Sequence, residues 1–371
     1  MFEQEDNPFS VDEIEPRLFL GNCTAARNIQ FLKSKQISHI LTIDSVPIPA
    51  YVCSSAAVIN KYIHIADMTR ENILEHFTVC INFIEGALKD PNGTNGILIH
   101  CFYGVSRSAT IAIAYLMKKY SINYQKAFEL AKSKRRLVQP NHGFVLQLKL
   151  FHKMAYEIDP TYKNYKIFRL KLAAEQVKSV KILPSSFLNL LAPDPVLHQE
   201  RPDPNVYRCR KCRRIVASKS NLILHKPKDQ INSFETSHLN QKGKPNNSVP
   251  NLLDDEQMEN QNPTVNLNEA ISELAGDLMV STISEKLLKR NHPDPQLCTK
   301  MYFIEPMIWM KDVPNNVEGK LYCPQCKSKI GSFNWIMASK CPCGAQVSPS
   351  FYLVPSKIEY SNIVQNMQVT V

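Results

Sequence analysis

One segment near residue 100 constrains the fold of this chain more than any other. The apolar run 96–100 (GILIH) reads as a buried strand, and 106–119, rich in Ala and Ile, reads as a buried helix. Between them, Cys101 and Arg107 stand with five residues separating them. A short loop that joins a strand directly to a helix points its backbone N–H groups, and the positive end of the helix dipole, into one small bowl. The sequence therefore predicts an α/β domain with an anion-binding loop.

The residue types in this loop fit a phosphate group. The electropositive bowl favours the thiolate form of Cys101, and Arg107 can hold two phosphate oxygens with its planar fork, which a lysine cannot do. Gly104 allows the tight turn. The alternative is a buried structural cysteine with an arginine at a chance spacing. The preceding strand, the flanking His100, the glycine and the following helix together favour the functional interpretation.

The stretch HCFYGVSRS (100–108) matches the signature HC-x2-G-x-SRS and resembles the cysteine-dependent dual-specificity protein phosphatases. LFLGN (18–22) and PNHGFVLQL (140–148) are similar to segments of the same family, so the resemblance covers about residues 10–156. One residue departs from the family pattern. Tyr103 stands where a small residue is usual, and we expect its ring to reshape the pocket and alter substrate preference.

The resemblance implies a two-step hydrolysis of phosphoprotein substrates through a phosphocysteine on Cys101, with no metal needed for catalysis. Asp67 follows the strand-like run YIHIA and matches the general acid of the family. A helix cap or a turn residue is the alternative role for such an aspartate. Ser108 is expected to stabilise the departing thiolate, and His100 and Asn141 to support the loop. The implied phosphate-binding loop consists of Phe102, Tyr103, Gly104, Val105, Ser106 and Arg107.

The rest of the first half alternates short apolar runs with amphipathic stretches, which is the α/β pattern. Strands are predicted at 17–20, 37–44, 62–66 and 96–100, and apolar residues recur at helical spacing over 73–88. The expected fold is a central, mostly parallel sheet flanked by helices, followed by a small zinc-binding domain.

A chain of 371 residues is expected to contain more than one domain. We predict a catalytic domain over 1–158, a helical and Pro-rich linker over 159–204, and a zinc-binding domain over 205–371. Inside the last domain, the Asn-rich stretch 226–266 is poor in apolar residues and is predicted to be a disordered insertion. Residues 267–290 have a helical period.

Seven of the eleven cysteines lie between positions 209 and 343, mostly in close pairs. An odd number of cysteines in a chain without a secretory signal argues against a set of disulfides. C-x2-C pairs are typical of zinc knuckles. Seven cysteines plus one histidine supply eight ligands, enough for two closed structural zinc sites. The simplest assignment groups the first four and the last four ligands along the chain, and an interleaved pairing is the alternative. In chain order the ligands are Cys209, Cys212, His225, Cys298, Cys323, Cys326, Cys341 and Cys343.

The formal net charge of +10 suits an anionic partner such as phosphate or RNA. The segment 208–219 carries six Lys or Arg and no acid, although basic residues beside a knuckle also neutralise thiolate charge. MYFIEPMIWM (301–310) and IGSFNWIM (330–337) resemble the C-terminal zinc-binding domain of the dual-specificity phosphatase 12 subfamily. That resemblance implies a role in maturation of the large ribosomal subunit, with pre-60S particles as partner, in nucleus and cytoplasm. The alternative is mainly an assembly factor whose catalysis is secondary.

Apolar runs in the chain are short. The longest, 109–117 and 303–310, fall well below the roughly 20 residues that a membrane span requires. The N-terminal stretch MFEQEDNPFS is acidic where a signal peptide would be basic and then apolar. We therefore expect a soluble, intracellular protein with no membrane partner.

Overall fold

A computed structural model describes residues 8–90, 93–196, 203–225 and 298–362. The chain forms two compact units, the first ending at Tyr165 and the second beginning at Lys166. The insertion predicted at 226–266 and the helical period at 267–290 lie outside the described residues. In the described ranges, no helix combines the length and apolar character that crossing a membrane requires.

The first unit is built on one five-stranded sheet. Its strands are β1 (Val11–Glu15), β2 (Leu18–Gly21), β3 (Ile37–Asp44), β4 (Ile59–His64) and β5 (Gly96–His100). The strand order is β1-β2-β5-β3-β4, with β1 antiparallel to β2 and every other pair parallel. β2, β3, β4 and β5 correspond to the four predicted strands, and the mostly parallel sheet confirms the expected α/β class. β1, which is rich in acidic residues, was not predicted.

Helices surround this sheet. They are α1 (Cys23–Arg27), α2 (Ile29–Ser34), α3 (Ala50–Ala56), α4 (Phe77–Leu88), α5 (Arg107–Tyr120), α6 (Tyr124–Lys134) and α7 (His142–Lys153). α5 is the central helix, since every residue from Arg107 to Met117 is buried. A helix that is buried on all sides needs small and apolar side chains throughout, which explains its Ala- and Ile-rich sequence.

The parallel strands bring three functional segments to one edge of the sheet. β3 ends at Asp44, β4 is followed closely by Asp67, and β5 leads directly into Cys101. Because the carboxyl ends of parallel strands lie at the same edge, the topology gathers these residues although the sequence separates them widely.

The second unit contains three small antiparallel sheets. Its strands are β6 (Asn205–Cys209), β7 (Ile215–Ser218), β8 (Tyr302–Phe303), β9 (Glu318–Tyr322), β10 (Lys329–Asn334), β11 (Ser339–Lys340), β12 (Gln346–Val347), β13 (Ser350–Leu353) and β14 (Ile358–Asn362). The orders are β8-β13-β10-β9, β14-β6-β7 and β11-β12. Two hairpins, β6–β7 and β9–β10, each carry a C-x2-C pair at the turn.

One long helix, α8 (Lys163–Val180), supplies apolar side chains to the core of the second unit. Leu170, Ala173 and Val177 are 4%, 0% and 0% exposed and pack in one cluster with strand residues of the second unit. α8 lies within the range 159–204 that was predicted as a linker, and its apolar face contributes directly to this core.

Candidate functional site

The thiol of Cys101 lies at the base of the loop between β5 and α5 and is 1% exposed. The backbone N–H of Gly104 donates to Cys101 Sγ at 3.2 Å, and the hydroxyl of Ser108 donates to the same sulfur at 3.1 Å. Both contacts stabilise negative charge on the sulfur. The residues predicted as nucleophile and as its hydroxyl partner are therefore in direct contact.

Gly104 is required by the path of the loop. Its φ is +70°, and a Cβ at this position would lie 2.5 Å from the carbonyl oxygen of Gly21. Any side chain would collide with fixed backbone, so only glycine lets the loop pack against the end of β2.

The guanidinium of Arg107 is held at the mouth of the loop by β3 and the segment after β4. Nη1 donates to Asp44 Oδ1 at 2.6 Å and to the carbonyl of Ile65 at 3.3 Å. Arg107 is 6% exposed, and its Nε is buried without a hydrogen bond. That unused N–H can donate to an oxyanion bound beside Cys101.

Asp67 is fixed through one of its two oxygens. Ser106 Oγ donates to Oδ1 at 2.7 Å, and Asn141 Nδ2 donates to the same atom at 2.8 Å. Oδ2 lies 3.9 Å from Arg107 Nε. The side chain of Asp67 is 35% exposed, so it stands at the opening of the site. This geometry leaves Oδ2 available to exchange a proton with a bound substrate.

Asn141 ties the start of α7 to the loop. Its side chain caps the helix by accepting from the N–H of Phe144 at 3.0 Å, and its own N–H donates to Ser106 Oγ at 3.1 Å. The predicted support role of Asn141 thus includes a direct contact with Asp67, which the sequence did not indicate.

His100 is buried behind the nucleophile. Its Nε2 lies 2.9 Å from Thr42 Oγ1 on β3, and its Nδ1 lies 3.4 Å from the carbonyl oxygen of Cys101. Burial lowers the pKa of His100 to about 4, so the imidazole is neutral near pH 7. It joins β5 to β3 and does not face the opening.

Two site residues were missed by sequence reasoning. Asp44 pairs with Arg107, as described above. Arg135 is fully buried and donates through Nε to the carbonyl of Gly104 at 2.9 Å, while its Nη1 pairs with Asp12 at 2.7 Å. Asp44 lies at the carboxyl end of a predicted strand, and this position could have indicated a site residue. Arg135 lies in a run of basic residues, and nothing in the local sequence distinguished it from its neighbours.

The second unit contains two clusters of metal-ligand side chains. In the first, Cys209 Sγ lies 3.7 Å from Cys326 Sγ, and Cys212 Sγ lies 3.5 Å from Cys323 Sγ. In each cluster, the four ligand atoms lie within 4.8 Å of one another. The second cluster comprises His225, Cys298, Cys341 and Cys343, with Cys298 Sγ 3.6 Å from Cys341 Sγ.

These distances fit a tetrahedral ion with sulfur ligands. Zn–S bonds of about 2.3 Å place two sulfurs about 3.8 Å apart across a tetrahedron, close to the observed separations. None of the eleven cysteines forms a disulfide. Ser328 Oγ lies 3.0 Å from Cys326 Sγ and 3.7 Å from Cys209 Sγ, as a hydroxyl that steadies metal-bound thiolates would. Each cluster can therefore hold one metal ion with all four positions filled by protein.

The simplest pairing predicted from the sequence was wrong. It grouped Cys209 and Cys212 with His225 and Cys298, whereas the structure interleaves the two halves. The reason is that hairpins β6–β7 and β9–β10 present matching turns: Cys209 N–H donates to Arg214 O, and Cys323 N–H donates to Ser328 O. The equal C-x2-C spacing of the two knuckles was the signal that could have paired them.

Comparison with known proteins agrees with the geometry of the first unit. Residues 18–154 match the family model described as dual specificity phosphatase, catalytic domain. "Dual specificity protein phosphatase MPK-4" of Drosophila melanogaster is 43% identical, over 99% of this chain and 92% of the relative. "Dual specificity protein phosphatase 12" of Mus musculus is 28% identical, over 94% of this chain and 87% of the relative. The crystal structure of the Yvh1 phosphatase domain from Chaetomium thermophilum covers 40% of this chain and 99% of its own, at 28% identity and a TM-score of 0.38.

Proposed function

The chain belongs to the family of dual-specificity protein phosphatases, and from this premise we propose that Cys101, Arg107 and Asp67 carry out its phosphate monoester hydrolysis. The observation that carries the proposal is their convergence. Arg107 Nε lies 3.9 Å from Asp67 Oδ2. The residues on either side of Arg107 contact the other two groups, since Ser106 Oγ donates to Asp67 Oδ1 and Ser108 Oγ donates to Cys101 Sγ.

The first step transfers the phosphoryl group to the enzyme. The thiolate of Cys101 attacks phosphorus, the S–P bond forms, and the bond from phosphorus to the substrate oxygen breaks. Arg107 and the loop N–H groups hold the three remaining phosphate oxygens. Asp67 gives its proton to the leaving oxygen, and the dephosphorylated protein departs.

The second step releases phosphate. Water attacks the phosphocysteine and gives a proton to the Asp67 carboxylate, while the S–P bond breaks. The hydroxyl of Ser108, 3.1 Å from the sulfur, stabilises the thiolate as it leaves. Inorganic phosphate is the product, and the enzyme returns to its starting state without a metal or an oxidant.

Replacing the nucleophile tests this mechanism. Cys101→Ser is expected to abolish hydrolysis of aryl phosphates and phosphopeptides while phosphopeptide binding is retained, because a neutral hydroxyl is a far weaker nucleophile than a thiolate. Cys53→Ser, a half-buried cysteine on α3, is the matched control. Turnover by Cys101→Ser close to that of the wild type would contradict the mechanism.

For the second unit we propose two structural zinc ions, one in each cluster. Closed four-ligand sites leave no position for a substrate, so these ions hold the fold together and take no part in hydrolysis. Metal analysis of the purified protein is expected to find about two zinc ions per chain, and a metal-free protein with a folded second unit would contradict this.

We further propose that the zinc unit links the phosphatase to maturation of the large ribosomal subunit, in nucleus and cytoplasm. Support comes from the subfamily resemblance and from the basic segment 208–219. Arg210, Lys211, Arg213 and Lys219 are exposed there. Among the residues that the structure describes, two ion pairs neutralise the segment, Arg213 with Glu359 and Arg214 with Asp194. The remaining positive charge suits a partner rich in phosphate.

The alternative is a ribosome assembly factor in which catalysis is secondary. Gradient sedimentation of cell extract distinguishes the two by comparing wild type, Cys101→Ser and a Cys323→Ser/Cys326→Ser variant. If the zinc unit carries the association, only the zinc-ligand variant leaves the pre-60S fractions. If pre-60S maturation proceeds normally with Cys101→Ser, catalysis is secondary. Co-sedimentation of the zinc-ligand variant would contradict the proposed role of the second unit.

A further inference from the structure

An aromatic pair stands on the rim of the phosphate-binding loop. Tyr103, two residues after the nucleophile, is 58% exposed although it is large and largely apolar. Its ring packs edge-to-face against Phe102, with ring centroids 4.7 Å apart and an interplanar angle of 84°. This geometry is a preferred one for an aromatic pair and favours the observed direction of the outer ring.

The backbone beneath these rings is anchored on both sides. The carbonyl of Phe102 accepts from Cys23 N–H at 3.2 Å, and the carbonyl of Tyr103 accepts from the buried Arg135 at 3.4 Å. The next N–H, that of Gly104, turns inward to the Cys101 sulfur. The loop backbone that carries the two rings therefore cannot move without losing the contacts that shape the phosphate site.

A ring at this rim affects different phosphoresidues differently. In phosphotyrosine, a phenyl ring separates the phosphate from the peptide backbone, so that ring passes the rim and can pack against Tyr103. In phosphoserine and phosphothreonine, the phosphate sits close to the backbone, and the peptide itself must approach the raised rim. One side chain thus adds an aromatic contact for the first substrate and a steric obstacle for the others.

We propose that Tyr103 is a specificity-determining residue that makes this enzyme prefer phosphotyrosine over phosphoserine and phosphothreonine. The inference rests on the proposed function, since it assumes that substrates reach Cys101 through this opening. It concerns the choice among substrates and leaves the chemical steps as described.

The test compares kcat/KM for three peptides of one sequence that carry phosphotyrosine, phosphoserine or phosphothreonine. Wild type is expected to favour the phosphotyrosine peptide. In Tyr103→Ala, the ratio of phosphotyrosine to phosphothreonine kcat/KM is expected to fall by about three- to tenfold. Tyr103→Phe keeps the ring and is expected to keep the ratio.

Tyr120→Ala serves as the control. Tyr120 is also an exposed tyrosine (45%) and lies at the far end of α5, about 20 Å along the helix from the loop. The ratio of phosphotyrosine to phosphothreonine kcat/KM in Tyr120→Ala should equal that of the wild type.

A ratio in Tyr103→Ala within about twofold of wild type would overturn the proposal. If all three rates rise equally, the ratio is unchanged and the ring is a general barrier to substrates. Failure of the proposed function is a separate result. In that case, wild type and Cys101→Ser would act alike on every peptide, whatever residue stands at 103.

Discussion

The guanidinium of Arg107 and the carboxylate of Asp44 form an ion pair at 2.6 Å in which the two side chains are 8% and 11% exposed. The pair joins the start of α5 to the end of β3, so both elements position the Arg107 guanidinium for phosphate binding. Because both side chains are buried, water cannot take the place of a removed partner, and the remaining charge would be left unpaired.

Neutralising Asp44 should therefore weaken catalysis from outside the phosphate site. In Asp44→Asn, the guanidinium of Arg107 loses its charged anchor but keeps its N–H groups. The value of kcat/KM for an aryl phosphate is therefore expected to fall by about 10- to 100-fold, less than the roughly 10²- to 10³-fold loss of a whole oxyanion donor. Glu129→Gln, on the surface of α6, is the control. Steady-state kinetics provide the measurement, and rates equal to those of the control would show that Arg107 needs no anchor.

Loss of the Asp67 proton should depend on the leaving group. Asp67→Asn is expected to slow hydrolysis of poor leaving groups by about 10²- to 10⁴-fold and of activated aryl phosphates much less, because only poor leaving groups need the proton. A series of substituted phenyl phosphates gives the measurement. Uniform slowing across the series would place the general acid elsewhere.

Burial of His100 should make the first unit sensitive to acid. Its pKa in the folded state is about 4, below the ordinary value of 6.5, so the unfolded chain binds the proton more readily. Above pH 6.5, the pKa of the histidine in the unfolded chain, the neutral His100 makes its full contribution to the free energy of unfolding. This contribution is lost as pH falls from 6.5 toward 4, by about 1.4 kcal/mol per pH unit.

Hydrogen exchange of β5 and α5 amides, compared between about pH 7 and pH 5, measures this loss. His100→Asn removes the titrating group, so the opening free energy of the variant is expected to change less over the same range than that of wild type. Identical pH dependence in the two proteins would exclude His100 as the source.

The interleaved ligand clusters predict a definite metal count. Cys209→Ser/Cys323→Ser removes two ligands from one cluster and is expected to cost about one zinc per chain, whereas Cys209→Ser/Cys341→Ser touches both clusters and is expected to cost about two. Metal analysis of the two purified variants measures the number of zinc ions that each retains. A loss of about two zinc ions from both variants would instead support the pairing in which neighbouring ligands share an ion.

The end of the catalytic domain is also open to test. A fragment ending at residue 162 is expected to keep aryl phosphatase activity. A fragment of 163–371 should be more stable than 200–371 by at least about 3 kcal/mol, because the shorter one lacks the buried Leu170 and Val177 of α8. Fluorescence of Trp309 and Trp335, both buried in this unit, reports the unfolding. Equal stability would make α8 dispensable for the second unit.

The sequence predicted the parts of this protein whose signals are local. The strand, loop and helix around Cys101 are contiguous, and their spacing alone indicates the phosphate bowl. Asp44 and Arg135 act on that bowl from 57 and 34 residues away from Cys101, where only the assembled sheet brings them together. The candidate metal ligands were likewise identified by their spacing. Their pairing depends on how two hairpins face one another, and the equal C-x2-C spacing was only an indirect sign of it.

Both metal clusters take ligands from each side of the segment between His225 and Cys298. In the first cluster, Cys209 and Cys212 precede this segment, and Cys323 and Cys326 follow it. In the second cluster, His225 precedes the segment and the three cysteine ligands follow it. A protease that cuts once within this segment is therefore expected to leave two fragments that migrate together in native conditions. The length of the intervening stretch can then change between related proteins without disturbing either coordination sphere.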